Sequence, residues 1–377
     1  MTSEREIWVY KLRPRGVFHF GERGVGEEAT EEHYHSDSLF SALCAALREV
    51  EGSAAVEEML RAFQGPEPPF RLTSAFPYAG DVFLLPRPRL PLVDAPRELK
   101  KVRFVSWSLF WRWVTGRPIP VPSKELLLQD GQVWVAQEDM EKMPSTVNSE
   151  RHPRRAAGPG SHYRVASMAN PERSIWIGGM RAMAPRVTVD RITCHSAVYA
   201  CGRVVFRQEC GLYFLVEWID EGFRPAVELA LSVLGDNGIG GERSAGHGQF
   251  EPLPPRKMTV PESDGRKLGG WTVLSLYAPD EQELRDGILH HPAAYDLDNR
   301  FGWIYSPDTR GRRRREVRMI VEGSVLADIG RSPHGRLVDV TPENFHAHKV
   351  YRYGLAFPVP ISVEVIHAQA DKLGKYV

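Results

Sequence analysis

Two stretches of this 377-residue chain carry the same order of hydrophobic periods, strand then helix, and that repetition constrains the fold more than any other feature. Residues 7–12 alternate apolar and polar side chains with the two-residue period of a half-buried strand. The segment HSDSLFSALCAAL, residues 35–47, then sets Leu39, Phe40, Leu43, Cys44 and Leu47 at helical spacing, with Ser36 or Asp37 positioned to cap the first turn. Residues 70–78 and 82–85, separated by Ala79, Gly80 and Asp81, read as a hairpin, so the block opens like a ferredoxin-like unit. The second block repeats the order, with a strand over 211–218, a helix over 225–234 and a strand over 271–277. Further strands are expected over 318–325 and 360–366.

Between the blocks, residues 143–186 are rich in Arg, Pro, Gly and Ser, and RHPRRAAGPGSHYR, residues 151–164, has no apolar periodicity. A loop that long inside a folded protein is a functional insertion or a disordered one. From Pro185 the run PRVTVDRITCHSAVY alternates, Gly202 follows, and RVVFRQ alternates again, which reads as a projecting hairpin arm.

The stretch GIGGERSAGHGQF, residues 238–250, raises the question of nucleotide binding, because backbone N–H groups free of side chains cradle phosphates. The familiar spacings fail. A P-loop needs Gly-Lys and then Ser or Thr, whereas Gly241 is followed by Glu242 and Arg243; a dinucleotide loop needs a sixth-position glycine where Arg243 stands. What remains is a mildly basic, main-chain-rich surface suited to an extended polyanion, or a turn whose glycines satisfy positive φ between helix and strand.

Composition sets the limits. With 42% hydrophobic and 25% charged residues the chain suits a globular protein of about two domains. Its 48 basic and 48 acidic residues cancel, so net charge gives no vote for nucleic acid, and any basic face is matched by an acidic one available to a protein partner. Residues 1–10 lack the apolar core of a signal peptide and no stretch approaches the roughly 18 apolar residues of a membrane span, so a cytoplasmic protein without membrane contact is expected. Cys44, Cys194, Cys201 and Cys210 match no zinc spacing and read as reduced packing residues.

An ordered set of motifs now accumulates: GVFHFGE (residues 16–22), HSDSLFSALCAAL, KKVRFVS (100–106), PRVTVDRIT (185–193), GLYFLVEW (211–218), LGDNGIGGERSAGHGQF (234–250), RFGWIYSP (300–307), VEGSVL (321–326) and VYRYGLAFPVPI (350–361). In this order the set resembles the RAMP superfamily of CRISPR proteins and, within it, the family of the fourth subunit of the type III-A (Csm) effector. The resemblance covers nearly the whole chain except residues 143–183. It implies an α+β fold of two ferredoxin-like, RNA-recognition-type domains with a glycine-rich loop and a β-hairpin thumb. On that reading residues 1–142 form the N-terminal domain, 143–203 the insertion and thumb, and 204–377 the C-terminal domain. It also implies a non-catalytic RNA-binding role in antiviral defence: the subunit caps the guide (crRNA) 5′ end, holds its repeat-derived tag, joins the large polymerase-nuclease subunit to the backbone RAMP filament, and meets target RNA only indirectly. No cofactor is expected. Single-stranded RNA on a sheet is held by main-chain groups, arginines and stacked aromatics. The expected RNA-binding residues are Gly240, Gly241, Arg243, Ser244, Gly246, His247, Gly248, Arg186, Arg191, His19 and Ser36.

Other chemistries compete with this reading of the motifs. Related RAMP proteins cleave RNA with a histidine base, and of 13 histidines here His19, His35 and His247 fall in the motifs, so the alternative is an endoribonuclease processing precursor crRNA. Against it, His35 sits beside a helix cap and His247 in a loop where contacting phosphate suffices. No metal is expected, since neither His33-x-His35 nor His346-x-His348 has a Cys or further His completing a familiar set. Asp37 reads as an N-cap, Trp107, Trp111 and Trp113 as mostly core, and the run RGRRRR, residues 310–315, as a hairpin tip that is either solvated or docks RNA or protein.

Overall fold

The strand Cys210–Trp218 is the organising element, and its sequence says why: seven consecutive buried residues, apolar toward both faces, demand neighbours on both edges and cover above and below. In the computed structural model, which describes residues 4–21, 27–28, 30–90, 97–148, 175–177, 184–189, 196–261, 267–306 and 311–366, it lies inside a ten-stranded sheet. On one side it pairs antiparallel with Glu4–Pro14, Tyr10 opposite Phe214 and Leu12 opposite Leu212. On the other it pairs with Phe70–Leu72 and Phe76–Ala79. The strand expected to open a second block therefore completes the first sheet, and that sheet draws strands from both sides of residue 204.

The order Phe250–Pro252, Glu4–Pro14, Cys210–Trp218, Phe76–Ala79 sets strands side by side that the chain visits as strand, helix, two strands, helix, strand. The sheet continues through Val82–Pro86, Phe104–Ser106, Val133–Trp134 and Leu127–Leu128. The two helices of this course pack on each other. Ser36–Glu51 buries Leu39, Phe40, Leu43 and Leu47, as its spacing requires, and Arg224–Asn237 buries Val227, Ala230, Leu231 and Leu234 at the i, i+3, i+4, i+7 stripe. Trp113 is buried, while Trp107 and Trp111 are partly buried against the same core.

The C-terminal region builds smaller sheets. Leu268–Val273 lies between Val325–Ala327 and Pro358–Ser362. The expected strand over 318–325 is instead two, Val317–Ile320 and Val325–Ala327, broken at Gly323 (φ 79°). Leu297–Arg300 pairs with Val317–Ile320, and Gly335–Asp339 with Tyr351–Leu355. This region docks on the first helix through Tyr353, whose ring lies 5.1 Å from that of Phe40 and whose hydroxyl accepts the Leu72 N–H at 3.0 Å. Ala184–Val189 and Ser196–Cys201 form an antiparallel ladder where the arm was expected; the residues joining them lie outside the described residues, as do 151–164 and Cys194. Among the described residues no helix is long and apolar enough to cross a membrane.

Candidate nucleic-acid interface

The glycine-rich loop begins where the helix Arg224–Asn237 ends, at Gly238, whose N–H returns to the Leu234 carbonyl at 2.7 Å. From there the loop folds against residues 15–20. The Gly241 N–H donates to the His19 carbonyl at 2.8 Å, the Gly248 N–H to the Val17 carbonyl at 2.8 Å, and the Ile239 N–H to the Gly248 carbonyl at 3.1 Å. A β-carbon on Gly240 would stand 2.4 Å from the His19 carbonyl oxygen, and one on Gly248 2.0 Å from that of Ile239. These two glycines thus answer to close approach of the chain to itself, and the bare backbone expected to face RNA is largely consumed in building the loop. Its exposed residues are the apex, Ser244, Ala245 and Gly246, and Gln249.

Beside the apex lies a feature the sequence reading passed over. The Arg243 guanidinium stacks 4.5 Å from the centroid of the Tyr305 ring, and Arg313 lies 5.0 Å from that of Trp303. Tyr305 is 71% and Trp303 56% exposed, so two rings with cations over them face solvent. The backbone holding them is a paired arm: Trp303 bridges Arg313, and the Ile304 N–H reaches the Arg312 carbonyl at 2.8 Å. Of the run at residues 310–315, the described arginines divide. Arg313 joins the aromatic face, Arg314 turns inward to the Ser41 hydroxyl at 3.2 Å, Arg315 reaches the Asp339 carbonyl at 3.0 Å, and Arg312 donates to the Asn344 carbonyl. Arg310 lies outside the described residues.

The remaining expected residues are scattered. Ser36 is fully buried, its hydroxyl accepting the Leu276 N–H at 2.9 Å while its own N–H donates to Ser74 Oγ at 2.8 Å, so it serves the interior. His19 and His247 are buried too, His19 Nδ1 lying 2.8 Å from the Gly202 carbonyl. Arg186 stands in the ladder opposite Tyr199, and Arg191 lies outside the described residues.

Asp37 is not a cap. The cap position belongs to His35, and the Asp37 carboxylate, without exposed surface, accepts from Arg300 at 3.0 and 3.1 Å and from Arg352. Burial alone would raise that carboxyl, but the two guanidinium groups outweigh burial and hold it far below the usual carboxylate range. Next to it, His35 Nδ1 lies 2.8 Å from Glu322 Oε1. Burial would lower the imidazole, yet Glu322 opposes it and pushes His35 up to about 10, while the same pairing holds Glu322 well below its ordinary value against burial. A cavity of about 860 Å³ opens here, bounded by His33, His35, Gly240, Gly241, Arg300 and Trp303. It joins the histidine pair, the glycine loop and the aromatic arm in one concavity.

Residues 267–361 match the family model for the CRISPR Csm4 C-terminal domain. The CRISPR system Cms protein Csm4 of Thermococcus onnurineus (strain NA1) is 27% identical over 87% of this chain and 91% of its own length. The protein of the same name from Methanocaldococcus jannaschii is 21% identical over 94% of this chain and 97% of its own. A solved Csm3-Csm4 subcomplex of the type III-A interference complex contains a chain that superposes with a TM-score of 0.61 at 18% identity, covering 95% of this chain and 99% of that one. Over nearly its whole length the chain is Csm4-like. A Csm1-Csm4 cassette bound to pppApA gives a TM-score of 0.55 at 22% identity, with 95% and 98% coverage, and so carries the same fold. In the Csm4-like chain the matched C-terminal segment contributes Arg300, Trp303, Tyr305, Arg313, Glu322 and Arg352, every C-terminal side chain of the concavity and its supports described above.

Proposed function

We propose that this chain is the non-catalytic RNA-binding subunit of a type III-A CRISPR effector, holding the repeat-derived 5′ tag of the guide RNA and joining the large polymerase-nuclease subunit to the backbone filament. The observation that carries the reading is the solvent-facing pair Tyr305–Arg243 and Trp303–Arg313 beside the exposed loop apex. Rings offer stacking to any unpaired base and guanidinium groups offer charge to the backbone, which is how single strands are held. The strand–helix–two strands–helix–strand course is read as one ferredoxin-like unit, with the region from residue 267 as a second unit and the ladder at 184–189 and 196–201 as the thumb. Arg186 and Arg191 are assigned to the thumb's contact with the tag–spacer boundary, and Arg243 with Ser244 and Gly246 to the tag backbone.

The solved complexes that pair Csm4 with Csm1 and with Csm3 support the two protein partners. A non-catalytic role is supported by the burial of His19 and His247, which keeps a substrate hydroxyl from reaching their imidazoles. The test replaces Trp303 and Tyr305 singly by Ala and measures binding of a guide carrying the native tag. Both side chains are largely exposed, so the fold is retained, and each change should weaken binding by about 1–3 kcal/mol, the range for one base–aromatic stack. Wild-type affinity in both variants removes this face from the RNA path.

A further inference from the structure

The floor of the concavity carries a group that RNA binding does not use. Glu31, His33 and His35 stand at alternate positions just before the first helix, and their ligand atoms lie within 4.8 Å of one another. Glu31 Oε2 is 3.3 Å from His33 Nδ1 and 2.9 Å from His35 Nε2. In a tetrahedral zinc site with bonds of about 2.0–2.1 Å, neighbouring ligand atoms stand roughly 3.3 Å apart. Both imidazole nitrogens are buried and face that one carboxylate oxygen. Three donor atoms that converge on one point are arranged as ligands.

The other nitrogen of each ring faces one carboxylate. His35 Nδ1 meets Glu322 Oε1 at 2.8 Å, and His33 Nε2 lies 3.9 Å from Glu322 Oε2. Glu322 is itself fixed by the Ser74 hydroxyl. A carboxylate behind a histidine sets which nitrogen presents its lone pair and how the ring is turned, the usual support of a ligating imidazole. Two imidazoles and a carboxylate are the donor set of open zinc sites, whereas magnesium and calcium favour all-oxygen shells. Glu31 and Glu322 together carry the charge that a divalent cation balances.

We propose that Glu31, His33 and His35 bind one zinc ion, with Glu322 orienting the two histidines and the fourth position open to the cavity. Water or an anionic oxygen entering the cavity completes the tetrahedron there. The proposal stands on these side chains alone and does not rest on the RNA reading.

The test uses the full-length, untagged chain, stripped with a chelator and then titrated with Zn²⁺ against a chromophoric competitor, and separately with Co²⁺. One zinc per chain is expected, together with the intense visible absorption of four-coordinate Co²⁺. Glu31→Gln should abolish that absorption, Glu322→Gln should weaken zinc binding about 10–100-fold, and His346→Ala, at an exposed site away from the cluster, should leave both unchanged. Circular dichroism reports whether each variant folds. Where Glu31→Gln fails to fold, the wild-type stoichiometry and Co²⁺ spectrum decide alone. Only trace zinc on the wild-type chain, the weak absorption of octahedral Co²⁺, or a folded Glu31→Gln chain that binds zinc as the wild type does would each overturn the proposal.

Discussion

Replacing Asp37 by Asn removes one charge and almost no volume from the point where the first helix holds the C-terminal region. Asp37 has no exposed surface and Arg352 is 2% exposed, so the substitution strands a guanidinium where water cannot reach it. Arg352 retains the neutral Phe301 carbonyl, at 2.6 Å, whereas Arg300 keeps the Asp298 carboxylate at 2.9 Å and is less affected. Breaking a buried pair by removing one partner costs about 3–5 kcal/mol, and the partial rescue of Arg300 places the expected loss toward the lower end. Urea unfolding followed by tryptophan fluorescence measures it. Arg352→Met in the Asp37→Asn background should cost less than the two single changes summed, by about 1 kcal/mol or more, because the two groups share one network. A loss from Asp37→Asn within about 0.5 kcal/mol, the scale of an unimportant surface change, refutes the reasoning.

Three further outcomes follow from the same geometry. Because the folded-state pKa of Asp37 is lowered, its contribution is present above the ordinary carboxylate value of about 3.9 and is lost as pH falls below it; acid titration of stability should show that loss in the wild type and not in Asp37→Asn. Gly240→Ala should cost stability, since the added carbon meets the His19 carbonyl at 2.4 Å, whereas Gly246→Ala meets nothing within 4 Å and suffers only the strain of φ 79°; equal melting temperatures for the two would contradict the account of the loop. The purified chain should cleave neither single-stranded RNA nor DNA with Mg²⁺, Mn²⁺ or chelator, and cleavage lost on His35→Ala or His247→Ala would establish the nuclease alternative.

Periodic features were legible in the sequence. The helix Ser36–Glu51 buries Leu39, Phe40, Leu43 and Leu47 of the stripe its spacing names, with Cys44 half-buried, and Gly211 to Trp218 is a strand where the apolar run says so. The run could not say whose sheet it entered, because apolarity on both faces marks a central strand without naming its neighbours. Asp37 was misread because a position near a helix start suits a cap and an ion pair equally, and its partners Arg300 and Arg352 lie 263 and 315 residues away. The His33-x-His35 pair was visible, but the carboxylate behind it is 287 residues distant. Trp303 and Tyr305 follow no period, and only the pairing of their arm reveals that both rings face solvent. The loop glycines were found, but spacing could not show that Gly240 and Gly248 lie against the chain's own backbone while Gly246 stands open.

Recognition of the constant guide-RNA tag by this chain, as proposed, is tested by comparing nuclease footprints and affinities of the assembled complex on guides with the native tag and with a scrambled tag of equal length, for the wild-type chain and for Arg186→Ala/Arg191→Ala. The account predicts tighter binding and a sharp 5′ boundary with the native tag, a boundary blurred by the double substitution, and a shallower salt dependence in that variant. Equal affinities and identical footprints for both tags would mean that the chain contacts only backbone, and would contradict the claim.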